Sequence, residues 1–90
     1  MNDREELRIA IAAQRIEIKR IELLASEPDP FAGERGELLR RLVVHVVDEE
    51  PGMHREKLPA HVVKHFIAAG VLIDCGLGCL GVLRENEVGE

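Results

Sequence analysis

Residues 51–83, PGMHREKLPAHVVKHFIAAGVLIDCGLGCLGVL, decide the fold because turn formers and helix breakers divide them into short elements. Pro51-Gly52 predicts a tight turn. Pro59 ends the short helical turn that we expect over His54–Lys57, since the residue before a proline disfavours helical geometry. Pro59 also suits the first position of a new helix, and Gly70 suits the position just past its end. A helix between these two residues is therefore predicted.

The next stretch alternates two sets of apolar residues around a glycine-rich turn. Val71–Cys75 and Cys79–Leu83 predict two antiparallel strands joined by Gly76-Leu77-Gly78. The face that we expect to point toward the core carries Val71, Ile73, Cys75 and Leu83. The opposite face is apolar too, so we expect the N-terminal helix or a partner to cover it. That face carries Leu72, Leu80 and Val82.

Upstream of this region, Glu37–Glu49 predicts a helix with an apolar face. Its inward-facing residues are expected to be Leu39, Leu42, Val43, Val46 and Val47. The run Val43–Val47 is rich in β-branched residues, so a strand is a real alternative there. Residues 28–36, which contain two prolines and two glycines, are predicted to be a linker.

The N-terminal segment predicts one long helix. Asp3 and Glu6 resemble a capping box, and Arg4–Ala25 contains good helix formers without Gly or Pro until Pro28. Two apolar stripes run along this helix. The first has the spacing of a coiled coil and comprises Leu7, Ile11, Gln14, Ile18, Ile21 and Ala25. The second comprises Ile9, Ala13, Ile16 and Leu23.

Two apolar stripes on one helix require two packing partners. One partner is expected to be the rest of the domain and the other a second copy, which predicts a homodimer with Gln14 as the polar residue that sets the register. A chain of 90 residues buries little of its surface alone, which also favours a dimer. Packing of both stripes inside a monomeric bundle is the alternative. The expected dimer residues are Leu7, Ile11, Gln14, Ile18 and Ile21.

Composition limits the classes of function. The net charge is −5, and the locally basic stretch is residues 51–83, with three bases and two acids. Two Phe and neither Tyr nor Trp leave no aromatic platform for single-stranded nucleic acid. No apolar run is long enough to span a bilayer and the N-terminus is too acidic for a signal peptide, so a cytoplasmic protein without membrane attachment is expected.

The candidate chemical groups do not predict catalysis. The chain has a single Ser, Ser26, and no Thr or Tyr, so we expect no enzyme, no small-molecule substrate and no cofactor. His61 and His65 with Cys75 and Cys79 have the residue types of a zinc site. Their spacing matches no standard zinc module, and the two pairs are expected on opposite sides. Two exposed imidazoles and two buried or half-buried thiols are therefore preferred over a metal.

The order of elements over residues 36–84 resembles a winged-helix domain, a member of the helix-turn-helix class. In this resemblance Gly52–Leu58 takes the place of the second helix, Pro59–Ala69 that of the recognition helix, and Gly70–Ile73 the entry into the wing. The resemblance implies a dimeric transcriptional regulator that binds double-stranded DNA. The residues it implies for DNA contact are Arg55, Lys57, His61, Lys64 and His65.

Two departures keep a second function open. The recognition helix carries no Arg to read guanine, and the turn of the hairpin carries no Lys or Arg. A protein-interaction module, such as an adaptor or inhibitor, uses the same fold without nucleic acid. The sequence thus predicts a mainly helical protein with a dimerisation helix over 1–27, a linker over 28–36, a winged-helix-like domain over 37–84 and an acidic tail over 85–90.

Overall fold

A computed structural model describes residues 3–83, apart from the side chains of residues 3, 6, 7, 10 and 11. This part of the protein is mainly helical, with a small antiparallel sheet. The helices are α1 (Asp3–Ala25), α2 (Gly33–Glu49) and α3 (Ala60–Ala68). The strands are β1 (Met53–His54), β2 (Leu72–Asp74) and β3 (Cys79–Val82), and a 3-10 turn (Arg55–Lys57) separates β1 from α3. The capping box at Asp3 and Glu6 and the tail over 85–90 lie outside the described residues.

Helix α2 begins at Gly33, four residues earlier than Glu37, and Gly33 itself adopts a φ of +63°. Residues 33–36 therefore belong to α2 and not to the linker. The strand alternative for Val43–Val47 is wrong. Buried residues recur at helical spacing through this stretch, which lets β-branched side chains pack on one face of a helix. They are Leu39, Val43, Val46 and Val47.

The sheet has the order β1-β3-β2, and both pairs of strands are antiparallel. Met53 of β1 lies opposite Leu80 of β3, and Leu72 of β2 lies opposite Val82. The strand β1 was not predicted, because two residues carry no periodicity and their pairing depends on contacts distant in the chain. The 3-10 turn that follows occupies most of the predicted helical turn over His54–Lys57.

The hairpin faces are the reverse of the prediction. Leu72 and Leu80 are buried in the core, whereas Ile73 and Cys75 are exposed. Alternation along a strand separates two faces but does not say which one is inside. The pairing of Leu80 with buried Met53 and the packing of α2 and α3 on this side decide it. The face with Leu72, Leu80 and Val82 is thus covered by the chain's own α2 and α3.

One apolar core joins the helices and the sheet. Helix α1 packs against α2 and places Ile21 and Ala25 inside this core, so the C-terminal half of α1 is part of the same packed unit. The other core residues come from every later element. They are Leu39, Val43, Val46, Val47, Met53, Leu58, Val62, Val63, Phe66, Leu72 and Leu80.

Candidate nucleic-acid interface

Helix α3 has one buried face and one outward face. Val62, Val63 and Phe66 are buried, and the backbone N–H groups of Val62 and Val63 both donate to the Pro59 carbonyl, which fixes the start of the helix. Lys64 points outward and is exposed. Its neighbours on this side, Ala60 and Ala68, are small and exposed, and the rings of His61 and His65 lie to one side. The outward face of α3 is therefore flat around a single cation.

Arg55 connects the 3-10 turn to the hairpin. Its guanidinium donates to Asp74 Oδ2 at 2.7 Å, and its backbone N–H donates to the Gly78 carbonyl at 2.7 Å. The second carboxylate oxygen of Asp74 accepts the N–H of Gly76 at 3.0 Å. Arg55 thus holds the base of the hairpin turn against the rest of the domain. This structural role could not be predicted from the sequence.

Lys57 forms an ion pair with the end of α2. Its Nζ donates to Glu50 Oε2 at 2.9 Å. The hydrogen bond from Lys57 is the main cause that lowers the pKa of Glu50 below its ordinary value, and a hydrogen bond from Gln14 of α1 adds to it, whereas partial burial acts in the opposite direction. Both side chains of the pair remain partly exposed, so it contributes at most about 1 kcal/mol to stability.

His61 closes the C-terminal end of α1. Its Nε2 lies 2.9 Å from the carbonyl oxygen of Ala25. A carbonyl can only accept, so His61 donates, and this contact requires a proton on Nε2. The last carbonyls of a helix have no partner within the helix, so the imidazole supplies one of the missing hydrogen bonds. His61 therefore links α3 to α1.

His65 is stacked on Phe31. Their ring centroids are 3.7 Å apart with the planes 6° from parallel, and Phe31 also meets the Phe66 ring edge to face at 5.6 Å. Gly36 makes this approach possible, because a Cβ at that position would lie 2.3 Å from the Phe31 carbonyl carbon. The segment ahead of α2 is thus packed on α3 through its aromatic residue, and it covers part of the expected recognition face.

The five predicted DNA-contact residues lie on adjoining elements, but four of them already contact other residues of the chain. Of these five residues, all within the part that the structure describes, only Lys64 has no ion pair, hydrogen bond or ring contact. The charges also balance. Arg55, Lys57 and Lys64 are the bases of this surface, and its acids are Glu50, Glu56 and Asp74. The surface therefore has no formal excess of positive charge while its histidines are neutral.

The hairpin offers a different kind of surface. Leu77, at its tip, is 98 % exposed and adopts a φ of +53° between two glycines that also have positive φ. The outward face of the two hairpin strands carries apolar residues and cysteines. We call these residues, together with Leu77, the hairpin surface. It comprises Ile73, Cys75, Leu77, Cys79, Gly81 and Leu83. The described residues hold no group of three or more His, Cys, Asp or Glu side chains placed to bind a metal, and both thiols are free.

Ile18 and Ile21, two of the three predicted dimer residues whose side chains are described, face the protomer's own core. Ile21 is fully buried, Ile18 packs against the same core, and Gln14 is half-buried beside Glu50, to which it donates. Ile21 cannot lie in an interface between copies, because no part of it is accessible from outside. The side chains of Leu7 and Ile11 lie outside the described set.

A groove of about 320 Å³ between α1 and α2 was not predicted, because it depends on how the two helices align. Its walls include Gln14, Glu17, His45, Glu49 and Glu50. His45 Nε2 lies 3.5 Å from Glu17 Oε2 and 3.9 Å from Glu49 Oε1. The residues that line this groove include no Ser, Thr or Cys.

No family model, curated protein or solved structure matches this chain. Among the described helices, none has the length and apolar character needed to cross a membrane. The function therefore has to be argued from the two surfaces themselves.

Proposed function

We propose that the chain is a non-catalytic, winged-helix-like protein-interaction module that holds its partner through the hairpin surface. The order of α2, β1, the 3-10 turn, α3, β2 and β3 supports the winged-helix part of the proposal. So does the sheet order, which places β1 beside the second strand of the hairpin. In this arrangement α3 takes the position of a recognition helix and the hairpin that of a wing.

Leu77 is the single observation that carries the protein-binding part. A left-handed backbone costs a residue other than Gly roughly 1–2 kcal/mol. Leu77 adopts that backbone at φ +53° while its side chain stands almost entirely in water. The Leu77 side chain makes almost no contact with the rest of the described chain. An apolar side chain fixed at the tip of a tight turn is suited to enter an apolar pocket of another protein, as anchor residues of interfaces do.

The rest of the hairpin surface fits the same partner. Ile73 and Leu83 are exposed, and Gly81 lies opposite Ile73 in the adjacent strand. The hairpin surface has no Lys, Arg, Asp or Glu, although the exposed His54 of β1 lies opposite Cys79. The partner expected from this chemistry is a protein with an uncharged apolar pocket for Leu77 beside a flat apolar rim.

Charge argues against nucleic acid as the first choice. Binding to a duplex depends on several Lys or Arg side chains that neutralise phosphates. In this chain Arg55 and Lys57 are paired with carboxylates, and the turn at the hairpin tip has no base at all. The net charge of −5 adds a general repulsion from a polyanion.

Double-stranded DNA is the second candidate, and Lys64 favours it. This cation stands exposed between Ala60 and Ala68 on α3, which leaves room for the edge of a base or a phosphate. Exposed ion pairs are weak, so Arg55 and Lys57 could exchange their carboxylates for phosphates. A dimeric transcriptional regulator is the form that this second candidate would take.

A comparison of two variants tests the proposal. Leu77→Asn removes the apolar anchor but keeps a residue that tolerates the left-handed backbone. Leu38→Asn, on the exposed side of α2, removes another exposed leucine away from the hairpin, 45 % exposed against 98 % for Leu77, and serves as the control. In quantitative pull-downs from lysate, we expect one dominant protein to be retained by the wild type and the control and lost with Leu77→Asn.

The DNA alternative is tested beside it with random duplex fragments in a mobility-shift assay at low salt. The proposal expects no shift at micromolar protein. A shift that Lys64→Glu abolishes and Leu77→Asn leaves intact would contradict the proposal and support a regulator.

A further inference from the structure

Helix α1 has an apolar stripe that the rest of the described chain leaves uncovered. Ile9, Ile16 and Leu23 are 65 %, 62 % and 65 % exposed. They recur every seven residues, which is close to two helical turns, so they lie along one side of α1. Ala12 and Ala13, both exposed, lie between the first two. We call these five residues the α1 stripe.

The opposite side of α1 is already in use. Ile21 and Ala25 are buried in the core, and Ile18 packs against it. These residues are about half a turn away from the α1 stripe around the helix. The helix is thus apolar on two sides, and only one of them has a partner inside the protomer.

We propose that the α1 stripe is the contact with a second copy of this chain, and that the two α1 helices pair antiparallel. In this pairing Ile9 of each copy lies beside Ile16 of the other. Ala12 of each copy then meets Ala13 of the other at the centre. Alanines at the centre of such a pair allow the two helix backbones to approach closely, since they add little bulk between the axes.

The charged residues that border the α1 stripe favour a second copy of this chain as the partner, with its α1 helix antiparallel. Glu5 lies one turn before Ile9, and Lys19 and Arg20 lie one turn after Ile16, all exposed. Antiparallel pairing brings Glu5 of one copy beside the two bases of the other, at both ends of the contact. Parallel pairing would place each charge beside its own copy, which is repulsive. The surface is therefore complementary to itself in one direction only.

This inference does not depend on the hairpin surface, which lies on other elements. It also replaces the predicted dimer residues, because Ile18 and Ile21 serve the core. A substitution at Ile21 would disturb the fold, whereas Ile16 can be changed without opening the core.

Oligomeric state is the first test. At tens of micromolar, sedimentation equilibrium should give twice the 10.0 kDa mass of the chain. Ile9→Glu with Ile16→Glu should give the monomer mass with an unchanged helical circular dichroism spectrum. The control, Leu38→Glu on α2, should remain a dimer. A wild-type monomer at this concentration, or a dimer that survives the double substitution, would overturn the proposal.

Direction is tested by crosslinking in a background that carries Cys75→Ser and Cys79→Ser. A mixture of chains with Ile9→Cys and chains with Ile16→Cys should form a disulfide-linked heterodimer under mild oxidation. Each chain alone should stay uncrosslinked, since antiparallel pairing keeps identical positions about 10 Å apart along the axis. Crosslinking of each chain with itself and not in the mixture would overturn the antiparallel arrangement.

Charge reversal gives an independent readout of direction. Glu5→Lys should weaken the dimer, and adding Lys19→Glu with Arg20→Glu should restore it. An unchanged dissociation constant for Glu5→Lys would count against antiparallel pairing, because a parallel pair would exchange one like-charged contact for another.

Discussion

The outward face of α3 and the hairpin surface correspond to the recognition helix and the wing of the proposed winged-helix-like fold. They differ in how many contacts their side chains make within the chain. On the α3 side, His61 bonds to the end of α1, His65 stacks on Phe31, and the nearby bases Arg55 and Lys57 are paired with acids. On the hairpin side, Leu77 is held in a costly conformation and contacts little. Side chains that already have hydrogen-bond, ion-pair or ring partners within the chain, as on the α3 side, contribute to the fold. A strained and exposed group points to a partner outside it.

The largest effect on the free energy of unfolding is expected from a substitution at Gly36. The packing of Phe31 over His65 of α3 depends on this glycine. Gly36→Ala would place a Cβ 2.3 Å from backbone atoms of Phe31, so the Phe31 backbone must move away from α2, and we expect its ring to lose its position on α3. We expect the free energy of unfolding to fall by about 1–3 kcal/mol or more, as for other overpacked sites. Chemical denaturation measures it, and the NMR shifts of the His65 ring should report the loss of stacking.

Gly33→Ala is the matched control for Gly36. Its Cβ would meet no atom within 4 Å, although its φ of +63° is strained for Ala. The control should therefore cost only about 1–2 kcal/mol and leave the His65 shifts in place. Equal behaviour of both variants would show that Phe31 does not need the close approach.

A smaller effect of opposite sign is expected at the hairpin tip. Leu77→Asn should raise the free energy of unfolding by roughly 1 kcal/mol or less, because Asn tolerates the left-handed backbone better than Leu. The substitution would stabilise the fold while removing the proposed anchor, which separates stability from binding. Thermal unfolding measures the change. Destabilisation would mean that Leu77 has contacts in the fold and would weaken its assignment as an anchor.

The smallest effect is expected from the Glu50–Lys57 pair on the α3 side. The pKa of Glu50 is lowered in the folded state, so the ionised form stabilises the fold at pH values above the ordinary pKa of 4.5. This contribution is lost as the pH falls through the lowered pKa. Lys57→Met should therefore cost a few tenths of a kcal/mol at neutral pH and nothing in strong acid, as urea denaturation can show. A cost that persists in acid would assign the effect to packing.

Local signals in the sequence were enough for part of this fold. Pro59 and Gly70 delimit α3, and the glycines around Leu77 define the hairpin turn, because backbone constraints act within a few residues. The strand β1 and the inward face of the hairpin could not be predicted, since both depend on the pairing of Met53 with Leu80, distant in the chain.

The candidate site shows the same limit. The five residues were chosen for their chemical type, and they do lie on adjoining elements. The intramolecular partners of these residues could not be predicted from the sequence. Ala25, Phe31 and Asp74 come close to His61, His65 and Arg55 only when the elements pack together. One signal was available for one of them: Phe31 is an aromatic residue in a segment otherwise expected to be a linker, and such a residue needs something to pack on.

The two surfaces can be compared most directly by ultraviolet crosslinking in cells, with a photoreactive amino acid placed at position 77 in one variant and at position 64 in the other. The chain would be purified under denaturing conditions and its adducts separated into protein and DNA. We expect a discrete protein adduct from position 77 and no DNA adduct from position 64. A DNA adduct from position 64, together with no protein adduct from position 77, would contradict this expectation.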